Sequence, residues 1–136
     1  MTFKTRGRYG GTTTFEDPSP EDIRAAIAGL ISGLRTERFE EPDDEHTRTS
    51  LTHGTVYIEI QVNGMATLGD LAVLEDDAEP IIAEEVYLAD IPDARMTEIL
   101  TDLAGGSYAA VLAAGWGPKS ALPAYKYDYY RRPEGS

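Results

Sequence analysis

Between residues 56 and 63 apolar and polar side chains alternate without a break. Val56, Ile58, Ile60 and Val62 share one face, and Tyr57, Glu59, Gln61 and Asn63 share the other. A period of two belongs to a strand, so one face of this segment is destined for a core and the other for solvent. Asn63-Gly64 follows at once. Both central positions of a type I′ turn need positive φ, which Asn-Gly supplies, so the chain is expected to fold back as an antiparallel hairpin. Met65 to Leu74 should return as the neighbouring strand, frayed by Gly69. A lone hairpin is marginal in water, so the rest of the chain must add strands and cover the apolar face.

Three further segments read as extended. Residues 3–15 are rich in Thr and aromatics, with Gly10-Gly11 in the middle; they form either a hairpin or one bent strand. Thr47 to Thr52 are mostly β-branched and end at a turn expected at His53-Gly54. Residues 84–89 contain Val86, Tyr87 and Leu88. The covering layer comes from segments with helical period. Ser19 is placed as an N-cap, Pro20 at the first helical position, and Glu21 and Asp22 in the first turn. Asp22, three residues after Ser19, approximates a capping box. Ile23, Ala26, Ile27, Leu30, Ile31 and Leu34 then make one apolar stripe. Gly33 weakens the last turn, and Arg35 suits the negative end. Pro92 and Asp93 open a second helix with Met96, Ile99, Leu100 and Leu103 inward, and Gly105-Gly106 ends it. Ser107 is expected to cap a short third helix over 108–114.

The order is β-α-β-β-β-(β)-α-α. Strands joined in an unbroken run by tight turns pair antiparallel, so the expected class is α+β, an antiparallel sheet with helices packed on one face. The 136 residues suffice for a single domain, 1–136, with 116–136 as a Trp- and Tyr-rich tail packed on it. A chain of this length buries roughly two-thirds of its unfolded surface, enough for a core without metals or cross-links. With no cysteine, disulfides, thiolate zinc sites and thiol nucleophiles are all excluded. No apolar run is long enough to span a bilayer, and residues 1–11 lack the apolar stretch of a signal peptide.

Charge narrows the choice of partners. Twenty-four acids face 12 Lys and Arg, a net charge of −12. Such a surface repels nucleic acid and anionic membranes, so neither is expected as a partner. The bases sit at the ends: residues 1–15 carry +3, 16–118 carry −17, and 119–136 carry +2. Two runs concentrate the acids. One is Glu37-Arg38-Phe39-Glu40-Glu41-Pro42-Asp43-Asp44-Glu45; the other is Glu75-Asp76-Asp77-Ala78-Glu79-Pro80, followed by Glu84-Glu85. Each run is either a solvated loop or a surface that meets a basic partner, raising the association rate more than the affinity.

Catalytic patterns are missing from the sequence. The two histidines, His46 and His53, stand near Asp43 and Asp44, but the spacing fits no metal site or calcium loop, so no metal and no cofactor is expected. There is no nucleophile elbow, P-loop or dinucleotide fingerprint. With 24 acids, a carboxylate pair somewhere is inevitable and selects nothing. An enzyme is the less favoured reading; it would need a catalytic or ligand site assembled from scattered residues. The aromatics are more telling, because Trp116, Tyr125, Tyr127, Tyr129 and Tyr130 crowd the last fifth of the chain. They either seal the core or bind a partner.

In size, acidity and α+β order the chain resembles the small acidic immunity proteins of bacterial polymorphic-toxin systems. The resemblance is carried by Glu41-Pro42-Asp43-Asp44-Glu45-His46-Thr47 leading into strands, and by Trp116-Gly117-Pro118 with Leu122-Pro123-Ala124-Tyr125. The Arg-rich, Lys-poor composition is similar to that of high-GC actinobacterial proteins. The resemblance implies a cytoplasmic, non-catalytic binder that blocks a cognate toxin, and the acidic surface leads us to expect that toxin to be basic, of nuclease type. On this reading the partner-facing residues are Glu40, Glu41, Asp43, Asp44, Glu45 and Trp116. Self-association into a homo-oligomer is an additional possibility.

Overall fold

The computed structural model describes residues 2–7, 10–36, 48–61 and 65–121. They form an α+β fold: a six-stranded sheet, every neighbouring pair antiparallel, with helices against one face. The strands are β1 (Thr2–Gly7), β2 (Gly10–Glu16), β3 (Arg48–His53), β4 (Val56–Gln61), β5 (Ala66–Asp70) and β6 (Val86–Leu88). Across the sheet they lie in the order β2-β1-β3-β4-β5-β6. The helices are α1 (Pro20–Thr36), α2 (Asp93–Ala104) and α3 (Tyr108–Leu112).

Residues 3–15 are a hairpin. Phe3 pairs with Phe15, and their rings stack at 4.8 Å and 9°. Gly10-Gly11 starts the second strand, Gly11 at φ +81. Both β2 and β3 are antiparallel to β1, so they run parallel to each other and need a crossover; α1 provides it. Pairing register puts Phe3, Leu51, Val56, Ile58, Ile60, Ala66 and Leu68 on one face, and all are buried. Ile27 and Leu30 of α1, Met96, Ile99, Leu100 and Leu103 of α2, and Val111 of α3 complete this core. Fully burying a side chain of this size is worth about 1.5–3 kcal/mol, so the helix stripes and the alternating strands stabilise one another.

The helix boundaries follow the local chemistry. Ser19 Oγ accepts the Asp22 N–H at 3.1 Å, and Asp22 Oδ2 accepts the Ser19 N–H at 3.3 Å, so an Asp closes the capping box. α2 starts after Pro92 and ends at Gly105, with Gly106 at φ +75. Ser107 precedes α3 without a side-chain cap. α3 stops at Leu112, earlier than 114, where the Trp116 indole N–H donates to the Val111 carbonyl at 2.7 Å.

β5 departs from expectation in its length and at Gly69. β5 ends at Asp70, and residues 71–74 form a 3-10 turn instead of more strand. Gly69 does not fray β5; it is buried opposite Tyr57, whose ring occupies the space a Cβ would need. At the far edge, Tyr87 of β6 exchanges both backbone hydrogen bonds with Gly117, at 2.8 and 2.9 Å. This ties the start of the tail to the sheet. The tyrosines expected to pack on it, from Tyr125 onward, lie outside the described residues. Among the described residues no helix is long and apolar enough to cross a membrane.

Candidate protein-docking surface

β5 ends in a buried carboxylate, and the segment after it is built around that group. Asp70 Oδ1 accepts the Ala72 N–H at 2.9 Å and Oδ2 accepts the Ile81 N–H at 2.7 Å. One side chain thus clamps both ends of the segment that carries the second acidic run. Burial pushes the Asp70 carboxyl up, but hydrogen bonds from Thr55, Ala72, Ile81 and Ile82 together outweigh this and hold it below the usual carboxylate range. The Leu71 N–H donates to the Thr55 carbonyl at 2.8 Å, which sets the 3-10 turn beside the β3–β4 turn.

With Ala72 and Ile82 turned inward, their neighbours point out. Leu71, Val73, Leu74 and Ile81 are 47%, 50%, 80% and 48% exposed. Glu75, Asp76, Asp77, Glu79, Glu84 and Glu85 are exposed around them. From residue 54 to 94 the sequence holds ten acids and no Lys, Arg or His, so no base in that stretch neutralises the surface. Glu85 is fixed by the Tyr57 hydroxyl, which donates to its Oε2 at 2.7 Å. Burial raises the Tyr57 phenol above its ordinary value, and the Glu85 hydrogen bond and charge add to the effect, as do Glu59 and Tyr87. Nearby, Arg48 pairs with Glu59 at 3.2 Å on the helix-free face.

Two other places could hold chemistry. At the β3–β4 corner, His53 Nδ1 and the Tyr108 hydroxyl are 2.7 Å apart, and the hydroxyl also donates to the His53 carbonyl at 3.2 Å. Burial, then the charge of Asp70, raises the Tyr108 phenol. The two rings meet edge to face, and His53 packs on Gly106. His53 Nδ1 and the Tyr108 hydroxyl engage each other, which makes the pair a joint between the hairpin and α3. Between α1 and α2 lies an open groove of about 460 Å³, lined by Ile23, Arg24, Thr97, Glu98, Thr101 and Asp102. Its two threonine hydroxyls donate back to the carbonyls of Asp93 and Thr97 in their own helix, so they do not converge on a guest. No group of three or more His, Asp or Glu among the described residues is arranged to hold a metal ion.

Of the residues singled out from the sequence, Glu40, Glu41, Asp43, Asp44 and Glu45 lie outside the described residues, as does His46. Trp116 is half-buried against the core, with its N–H engaged by Val111. The second acidic run is displayed in full. Sequence reasoning missed Asp70, the Tyr57–Glu85 contact and the outward aliphatics. An Asp followed directly by Leu-Ala-Val-Leu is the one signal that could have suggested a cap at Asp70. Comparison with protein-family models, curated proteins and solved structures finds no match to this chain.

Proposed function

We propose that this chain is a non-catalytic binding protein that takes a basic protein partner on an acidic surface, in the manner of a small immunity protein that neutralises a basic toxin. The observation that carries the reading is the 71–85 segment: acid-rich, without a base, and clamped by Asp70. A surface fixed before binding loses less entropy when it binds, and concentrated charge of one sign steers a partner of the other. The mutually engaged His53–Tyr108 pair and the inward-bonded threonines of the groove favour binding over catalysis.

The test is co-expression with the protein encoded beside this chain's gene. The reading expects that neighbour to carry a basic domain whose toxicity to cells this chain relieves. It also expects Asp76→Lys/Asp77→Lys to slow association by about tenfold and flatten its salt dependence. A neighbour that is neither toxic nor bound, or kinetics untouched by the charge reversal, would overturn it.

A further inference from the structure

The outward aliphatics allow the partner's contacting segment to be described, on the binding reading above. We propose that Leu71, Leu74 and Ile81 are the contact centre for a basic amphipathic segment of a protein, one that presents aliphatic side chains framed by Lys or Arg. In a 3-10 turn side chains three apart eclipse, so Leu71 and Leu74 stand on one line. Asp70 holds the backbone of Ile81 and of Ala72 on the two oxygens of one carboxylate, which brings Ile81 beside that line. The result is an aliphatic patch with an acidic rim, the anatomy of an interface core and its polar border.

Charge complementarity selects the occupant. A second copy meeting this patch about a two-fold axis would set Glu75, Asp76 and Asp77 against themselves. An anionic lipid surface would be repelled by the same rim. A segment with Lys and Arg around its aliphatics satisfies both the centre and the border, as amphipathic helices do in apolar grooves.

Titration of the full chain with synthetic peptides of about 18 residues tests this. One peptide carries Leu at helical spacing and Lys elsewhere, a second has the same composition scrambled, and a third is oligolysine. The amphipathic peptide should bind about tenfold or more tighter than either control. Leu74→Ser/Ile81→Ser should remove that advantage while leaving the salt dependence in place. Both positions are exposed, so the variant should keep the parent melting temperature, which is checked first. Equal binding of oligolysine, or an unchanged affinity in the Ser pair, would overturn the contact centre and leave the acidic-surface reading standing. Failure of every basic peptide would overturn the contact centre, and only failure of the co-expression rescue as well would remove the binding reading. Self-association or vesicle binding abolished by the Ser pair would assign the patch to a second copy or a lipid surface, and would overturn the proposal too.

Discussion

A buried carboxylate is tolerated only where donors match its charge, and at Asp70 these are Thr55 and the N–H groups of Ala72, Ile81 and Ile82. Hydrogen bonds to a charged group are worth about 1.5–3 kcal/mol each, and the carboxylate's own desolvation offsets part of their sum. Asp70→Ala should therefore lower the unfolding free energy by about 2–4 kcal/mol in urea titration. The folded pKa is depressed, so the contribution is complete above the unfolded value of ~3.9 and is lost as pH falls through the lower folded one. Stability measured from pH 5 down to 2 should show that loss, and Asp70→Asn should lack it. Gly69 makes a steric prediction. Its missing Cβ leaves room for the Tyr57 ring, so Gly69→Ala should cost about 1–3 kcal/mol, and much less when Tyr57 is already Ala. A double-mutant cycle reads the coupling. The buried Thr49 hydroxyl has no hydrogen-bond partner among the described residues, so Thr49→Val should raise stability by about 1 kcal/mol in the same titration.

At the scale of elements, α1 shows how local chemistry places a boundary. Ser19→Ala breaks the Ser19–Asp22 reciprocal cap and should cost about 1 kcal/mol by thermal or urea unfolding. This start was legible in the sequence because a cap, a first-position proline and a 3.6-residue stripe agree. The β3–β4–β5 meander was legible for the same reason, through strict alternation and turn residues. Other features depend on neighbours distant in sequence. Gly10-Gly11 suits a bend as well as a hairpin, and only the pairing of Phe3 with Phe15 decides. Gly69 reads as a weak point of a strand because a sequence shows the absent side chain but not the tyrosine opposite. Leu71, Val73 and Leu74 read as the continuation of β5, with inward and outward positions alternating. Asp70 instead turns the chain into a 3-10 helix, so Leu74, which the alternation of Ala66 and Leu68 would carry inward, ends up outside. The acids of the candidate surface were visible as composition; the carboxylate that organises them is set apart only by the Leu-Ala-Val-Leu that follows it.

For the whole molecule, the net charge of −12 is carried by the middle of the chain, and six of its acids crowd the segment between β5 and β6. The helix face of the sheet is closed by α1, α2 and α3, so the apolar surface still open includes the 71–81 patch. Everything proposed for this surface depends on the segment being fixed, not a solvated loop that happens to be acidic. Amide hydrogen exchange of the free protein decides between the two. Ala72 and Ile81 lie outside the strand ladder, yet their N–H groups are held by Asp70. They should exchange at least about 100-fold more slowly than in an unstructured peptide, and Asp70→Ala should release both together. Exchange of Ile81 and Ala72 at unstructured rates in the unmodified protein would contradict a preformed docking surface.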